Sequence, residues 1–204
     1  MRFPYTGVIL AGGLATRFSG KNKAFIQIGG QPILQYIVTV FQELFEEIIL
    51  VTNDPLDYAD WDLQIVTDHY KTRSSLTGLH TGLFYATRAG AFFSASDTPF
   101  IKRELIVTIL ESFDHRTDVV IPQTQAGHEP LCAMYSKACL KPMEWCLNHD
   151  HFKIQNFFDR VRVKRLPESV LRQGDPDLVS FFNINTPEDL EKANQIFSGD
   201  SSWT

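Results

Sequence analysis

Gly7-Val8-Ile9-Leu10-Ala11-Gly12-Gly13 decides how this sequence is read. The apolar run Gly7–Leu10 stops at glycines, as a buried strand does when it delivers the chain into a loop. Residues 10–23 continue Leu-Ala-Gly-Gly-Leu-Ala-Thr-Arg-Phe-Ser-Gly-Lys-Asn-Lys. Bare glycine backbone lets a ligand approach closely, and consecutive N–H groups can form an anion-binding nest. Arg17, Lys21 and Lys23 lie in the same loop, where cations could neutralise a triphosphate. A P-loop is excluded: Gly20-Lys21 is followed by Asn22, and Ala15 stands where the first glycine should be. The dinucleotide fingerprint G-x-G-x-x-G is absent as well. On composition alone the loop reads equally as a phosphate cradle or as a strand-to-helix turn with solvated basic residues.

Outward from this segment the pattern alternates. Pro32 opens a helix through Phe41, Glu47–Asn53 is a second strand, and Leu63–Val66 a third that ends near Asp68. Leu76–Thr87 reads as a helix and Gly90–Asp97 as a strand ending in an acid before Thr98-Pro99. A helix over Lys102–Phe113 follows, with strands at Asp118–Ile121 and Leu131–Tyr135, a helix near Lys137–Leu147 and a strand at Val161–Leu166. The final helix starts at Thr186-Pro187-Glu188-Asp189, with Thr186 as N-cap and Asp189 at the third helical position, as in a capping box. Strand–helix alternation predicts an α/β, Rossmann-like doubly wound, mostly parallel sheet with helices on both faces. Such sheets bind ligands at the carboxyl ends of their strands. Gly12, Asn53, Asp68 and Asp97 all fall at or just beyond such ends.

The length of 204 residues fits a single domain over 1–197, with 198–204 as a loose tail. With 44% hydrophobic and 21% charged residues the composition is that of a globular protein. The formal charge of −5 gives no general attraction to nucleic acid or anionic membrane, so phosphate chemistry must rely on local cations. No apolar run approaches the roughly 20 residues that cross a bilayer. The N-terminus lacks a signal-peptide pattern, and three cysteines without a C-x-x-C pair suit a reducing cytoplasm as small apolar residues. His149-Asp150-His151 reads as a solvated turn, because residues two apart on a helix do not share a face.

Several blocks in order give the chain a resemblance. Leu10-Ala11-Gly12-Gly13 with Arg17 and Lys23 resembles the signature of nucleotidyltransferases built on a Rossmann-like sheet. Ser96-Asp97-Thr98-Pro99-Phe100, Glu129-Pro130-Leu131-Cys132-Ala133-Met134-Tyr135 and Asn183-Ile184-Asn185-Thr186-Pro187-Glu188-Asp189 narrow the likeness to the molybdenum cofactor guanylyltransferases. The resemblance implies transfer of GMP from GTP to the terminal phosphate of molybdopterin, with release of pyrophosphate and Mg²⁺ as the metal. It implies that Leu10, Ala11, Gly12 and Gly13 contact the nucleotide by their backbone. Lys23 with Arg17 would serve the phosphates, Asn53 and Asp68 the nucleoside, and Asp97 would ligate Mg²⁺. GTP and the pterin cofactor are then the small-molecule partners, with transient contact to proteins that build or receive the cofactor. His128 falls in a block expected near the acceptor; Asn185 reads either as a polar group near the metal or, as the favoured reading, as a loop residue ahead of the Thr186 cap, and Lys21 as a solvated neighbour.

Three places depart from the family pattern. Asn22-Lys23 stands for Asp-Lys, Phe18-Ser19 for Met-Gly, and Ser74-Ser75-Leu76-Thr77-Gly78 for Gly-Pro-Leu-x-Gly. The last segment belongs near the base, so CTP on the same cofactor, or another acceptor of the sugar-phosphate type, stays open as an alternative.

Overall fold

The structure, a computed structural model, describes residues 2–12, 17–18 and 21–199, the side chains of 17, 18 and 21 excepted. Eight strands form one sheet: β1 Phe3–Leu10, β2 Phe45–Val51, β3 Gln64–Val66, β4 Gly90–Ala95, β5 Val119–Thr124, β6 Gly127–His128, β7 Cys132–Ser136 and β8 Val163–Pro167. Their order is β6-β5-β7-β4-β1-β2-β3, with β8 added beside β5. β1 runs parallel to both β2 and β4, and β2 runs parallel to β3. β7 lies antiparallel between β4 and β5, whereas β8 is parallel to β5. The expected α/β, mostly parallel architecture is therefore present.

The chain adds β2 and β3 on one side of β1 and then returns to place β4 on the other. The strand order reverses between β1 and β4, and a crevice opens at the carboxyl ends there. Ser96 N–H donates to Leu10 O at 3.0 Å and Ala11 N–H to Val51 O at 2.8 Å, so both loops leave the sheet tied to neighbouring strand ends.

Side-chain alternation along β1 sorts the core into two layers. Ile9 packs into a cluster with Leu34, Phe41, Phe92, Leu105 and Leu171; Val8 and Leu10 pack into the other with Leu76, Leu79, Phe93 and Cys146. Helices α1 Ile33–Leu44, α3 Arg103–Glu111, α5 Glu168–Gly174 and α6 Pro187–Gly199 cover the first face, and α2 Ser75–Tyr85 with α4 Leu140–Asn148 the second. The three cysteines are free and buried, as small apolar residues are. Among the described residues no helix is long and apolar enough to cross a membrane.

Several boundaries differ from the sequence reading. The second strand starts at Phe45, directly after α1, and stops at Val51, so Asn53 lies two residues beyond it. The helix expected over Lys137–Leu147 divides into a 3-10 turn, Lys137–Cys139, and α4 from Leu140. Pro142 explains this: it is accommodated in the first turn of a helix, not in an interior begun at Lys137. Pro32 is the N-cap of α1 and not its first helical residue. Helix α5 and a 3-10 segment at Ile154–Arg160 are additional elements. The Thr186 capping box is formed, with Asp189 N–H donating to Thr186 Oγ1 at 3.2 Å and Thr186 N–H to Asp189 Oδ2 at 2.9 Å. α6 continues through Gly199, past the start expected for the tail at 198.

Two glycines of α2 set how closely it approaches the sheet. A Cβ on Gly82 would stand 2.5 Å from Val8 Cγ1 and 2.9 Å from Phe93 Cε1. A Cβ on Gly78, one turn earlier, would meet Leu10 Cδ2 at an ordinary 3.5 Å. Gly82→Ala is expected to lose about 1–3 kcal/mol by overpacking, despite alanine's better helix propensity. Gly78→Ala is expected to be neutral or stabilising by up to about 1 kcal/mol. Urea denaturation of both variants checks this, and equal effects would contradict the close contact at Gly82.

Candidate active site

The crevice at the β1–β4 reversal is a pocket of about 510 Å³. Leu10, Gly12, Lys23, Asp68 and Asp97 all line it, so five of the residues singled out by sequence converge there. Each arrives on a strand end or the loop just after one. Leu10 closes β1, Asp68 lies two residues past β3, and Asp97 two residues past β4. Ala11 is buried in the core and does not line the pocket. Gly13 and the side chains of Arg17 and Lys21 lie outside the described residues.

Lys23 sits on a short 3-10 turn, Lys23–Phe25, and is 6% exposed. Its Nζ donates to Asn185 Oδ1 at 2.6 Å and stands 3.6 Å from Asp97 Oδ2. Asn185 lies on the irregular segment ahead of the Thr186 cap, and it is also a direct partner of the buried ammonium and lines the pocket beside Asp97. Ile184 N–H also donates to Asp97 O at 3.1 Å, which locks the Asn-Ile-Asn segment against the turn carrying Asp97. Burial pushes the Asp97 carboxyl above the ordinary carboxylate range, and the nearby Lys23 charge opposes that rise.

Asn22, which replaces the family's acid, caps the Lys23 turn: Ala24 N–H donates to its Oδ1 at 3.1 Å. Its Nδ2 donates to the hydroxyl of the fully buried Tyr58 at 2.9 Å. The Tyr58 hydroxyl also lies 3.2 Å from Asn22 Oδ1, where it can donate, so the amide and the phenol meet in either direction.

At the other end of the pocket, Asn53 Nδ2 donates to Asp68 Oδ2 at 2.7 Å. Asp68 Oδ1 is buried and, among the described residues, has no hydrogen-bond partner. Burial raises the Asp68 carboxyl, while the Asn53 bond and the charge of Arg73 pull it back. Arg73, Ser74 and Ser75 form the adjoining wall. The Ser74 side chain caps α2, accepting from Thr77 N–H at 3.1 Å. Arg73 and Asn183 join the site without having been singled out, since a lone cation or amide in a loop has no periodic signature.

Two other expectations resolve away from this pocket. His149, Asp150 and His151 are exposed, and no group of three or more His, Cys, Asp or Glu among the described residues could hold a metal. His128 lies on β6 with its ring nitrogens at 3.3 Å from Gln155 Nε2 and 3.3 Å from Arg165 Nε, apart from the pocket wall.

Comparison with known proteins identifies the family and the fold. The model of the MobA-like NTP transferase domain matches residues 7–164. A molybdenum cofactor guanylyltransferase of Desulfosudis oleivorans is 44% identical over 92% of this chain and 93% of its own. A probable molybdenum cofactor guanylyltransferase of Natranaerobius thermophilus is 38% identical over 93% and 95%. The crystal structure of the molybdopterin-guanine dinucleotide biosynthesis protein A from Archaeoglobus fulgidus superposes with a TM-score of 0.84 at 26% identity, covering 96% of this chain and all of that one. With a matched domain model over most of its length and full-length relatives at this identity, the chain belongs to the MobA-like NTP transferase domain family.

Proposed function

We propose that this protein transfers GMP from GTP to the terminal phosphate of molybdopterin or the molybdenum cofactor, releasing pyrophosphate. The observation that carries the proposal is the convergence of Lys23, Asp97 and bare glycine backbone in one pocket, in a chain whose full-length relatives are named for this reaction.

The donor set fits a Mg²⁺ ion bound together with substrate. Mg²⁺ takes one or two carboxylates and completes its shell with phosphate oxygens and water, so a single half-buried Asp97 is enough. When bound, the ion supplies charge neutralisation at the triphosphate. Gly12 supports a ligand at the pocket floor: a Cβ there would meet Thr52 Cα at 3.6 Å and Asn53 N at 3.7 Å, so packing does not demand glycine.

In the reaction, an oxygen of the acceptor's phosphate monoester forms a bond to the α-phosphorus of GTP. The bond between that phosphorus and the bridging oxygen of the leaving pyrophosphate breaks. A phosphate monoester with its second pKa at about 6 is largely ionised at neutral pH, so no side chain need remove a proton. Lys23, already desolvated, offsets charge on the transferring and leaving phosphates. Asp68 Oδ1 is a buried acceptor in need of a donor. The exocyclic amine of guanine supplies such a donor, and the choice of GTP over CTP rests on the names of the full-length relatives. The Ser74 hydroxyl is spent within α2 as its cap and does not weigh toward CTP.

Replacing Asp97 with Ala should lower Mg²⁺-dependent pyrophosphate release about 100-fold or more while leaving the far-UV circular dichroism unchanged. Full activity in that variant would remove Asp97 from the site. Competition of the four NTPs in a thermal-shift assay with Mg²⁺ should favour GTP, and preference for CTP or UTP would replace the guanylyl reading. Asp68 also predicts a pH dependence. Its folded pKa is raised above the ordinary 3.8, so its ionisation costs native stability as pH rises through that window. Without nucleotide, Asp68→Asn should melt higher than wild type near neutral pH. The gain should vanish in acid, where the wild-type carboxyl is protonated, and the GTP-induced shift should shrink. A variant less stable than wild type at neutral pH would contradict this.

A further inference from the structure

Residues 67–73 carry the chain from the end of β3 toward the start of α2, and two of them, Asp68 and Arg73, line the nucleotide pocket. The stretch is irregular, and among the described residues it makes no backbone–backbone hydrogen bond. A loop without turn bonds samples many conformations, and a ligand that needs one of them must overcome that entropy. Side chains supply the missing anchors here, and two of them come from one face of α2.

Thr77 and Thr81 stand four residues apart on that helix, so they share a face, and both are fully buried. Thr77 Oγ1 donates to Thr72 O at 2.7 Å, which fixes the far end of the loop. Thr81 Oγ1 accepts from His69 N–H at 3.1 Å, which fixes the peptide that joins Asp68 to His69. Two ring contacts reinforce the second anchor. His69 stacks on Phe84 with ring centres 5.4 Å apart, and Tyr70 meets His80 edge-on at 5.2 Å. Asn53 Nδ2 holds Asp68 Oδ2 at 2.7 Å and leaves Oδ1 as the oxygen without a partner. Valine at 81 would fill nearly the same volume without the oxygen; what threonine adds is an acceptor, and the loop uses it.

We propose that Thr81 is a positioning residue of the nucleotide pocket: by holding the Asp68–His69 peptide it fixes where the Asp68 carboxylate meets the nucleotide. The inference rests on the reading of this pocket as a GTP site. It adds a residue that does not line the pocket, so its effect on the ligand passes through Asp68.

Titration calorimetry of the full chain with GTP and Mg²⁺ tests this through a double-mutant cycle on Thr81→Val and Asp68→Asn. Thr81→Val should weaken GTP binding about fivefold to tenfold, the scale of one hydrogen bond. Thr81→Ser keeps the oxygen and should stay within about twofold of wild type. Asp68→Asn should bind GTP more weakly than wild type, and in that background Thr81→Val should cost less than about twofold more. A substitution that only loosened the fold would lower affinity equally in both backgrounds. Full additivity, equal losses in the Ser and Val variants, or wild-type affinity in Thr81→Val overturns the proposal. Wild-type affinity in Asp68→Asn overturns it as well and removes Asp68 from the nucleotide site. The guanylyl reading fails separately, by a preference for another NTP, and the same cycle run with that NTP still decides whether Thr81 acts through Asp68.

Discussion

A buried ammonium organises this molecule. Lys23 Nζ lies 2.6 Å from Asn185 Oδ1 and 3.6 Å from Asp97 Oδ2, joining the loop after the first strand, the turn after β4 and the segment before the last helix. An ammonium with 6% exposure is tolerated only if polar partners replace its water. Those partners come from positions 162 and 74 residues further along the chain, so the lysine cannot be satisfied until the sheet and α6 are both in place. The same three side chains line the crevice at the strand reversal. Folding thus concentrates a cation and a carboxylate where a parallel sheet leaves room for a ligand.

The polar groups left without partners are as informative as the pairs. Asp68 Oδ1, Asp175 Oδ1 and His80 Nδ1 are buried with no hydrogen-bond partner among the described residues. A protein optimised only for stability would replace them, because an unsatisfied buried acceptor costs about 1–3 kcal/mol. Of the three, Asp68 lines the nucleotide pocket, with Ser74 and Gly78.

The sequence made part of this site legible. Parallel strands buried on both faces are apolar runs that stop at a polar residue, so Gly12, Asp68 and Asp97 could be read as strand-end groups converging on one crevice. Asn185 kept two readings, because it follows no strand and its neighbours Thr186 to Asp189 form a strong capping signal that accounts for the segment without a ligand. Arg73 comes from an irregular loop whose course is set by tertiary contacts. The fold was similarly uneven. Long apolar runs located β1, β2 and β4, but the short α5 and the 3-10 stretch at Ile154–Arg160 carry too few periods to stand out. Asn22, a departure from the family pattern, gained a physical reason from Tyr58, a partner 36 residues away that no local reading could supply.

The central claim is that an α-phosphoryl group moves from GTP to a pterin phosphate at this centre. Its most direct test is incubation of the protein with Mg²⁺, molybdopterin and GTP radiolabelled at either the α- or the γ-phosphate. The account predicts that the α label appears on the pterin product and the γ label only in pyrophosphate. Transfer of the γ label to the pterin, or release of labelled inorganic phosphate with GDP, would contradict it.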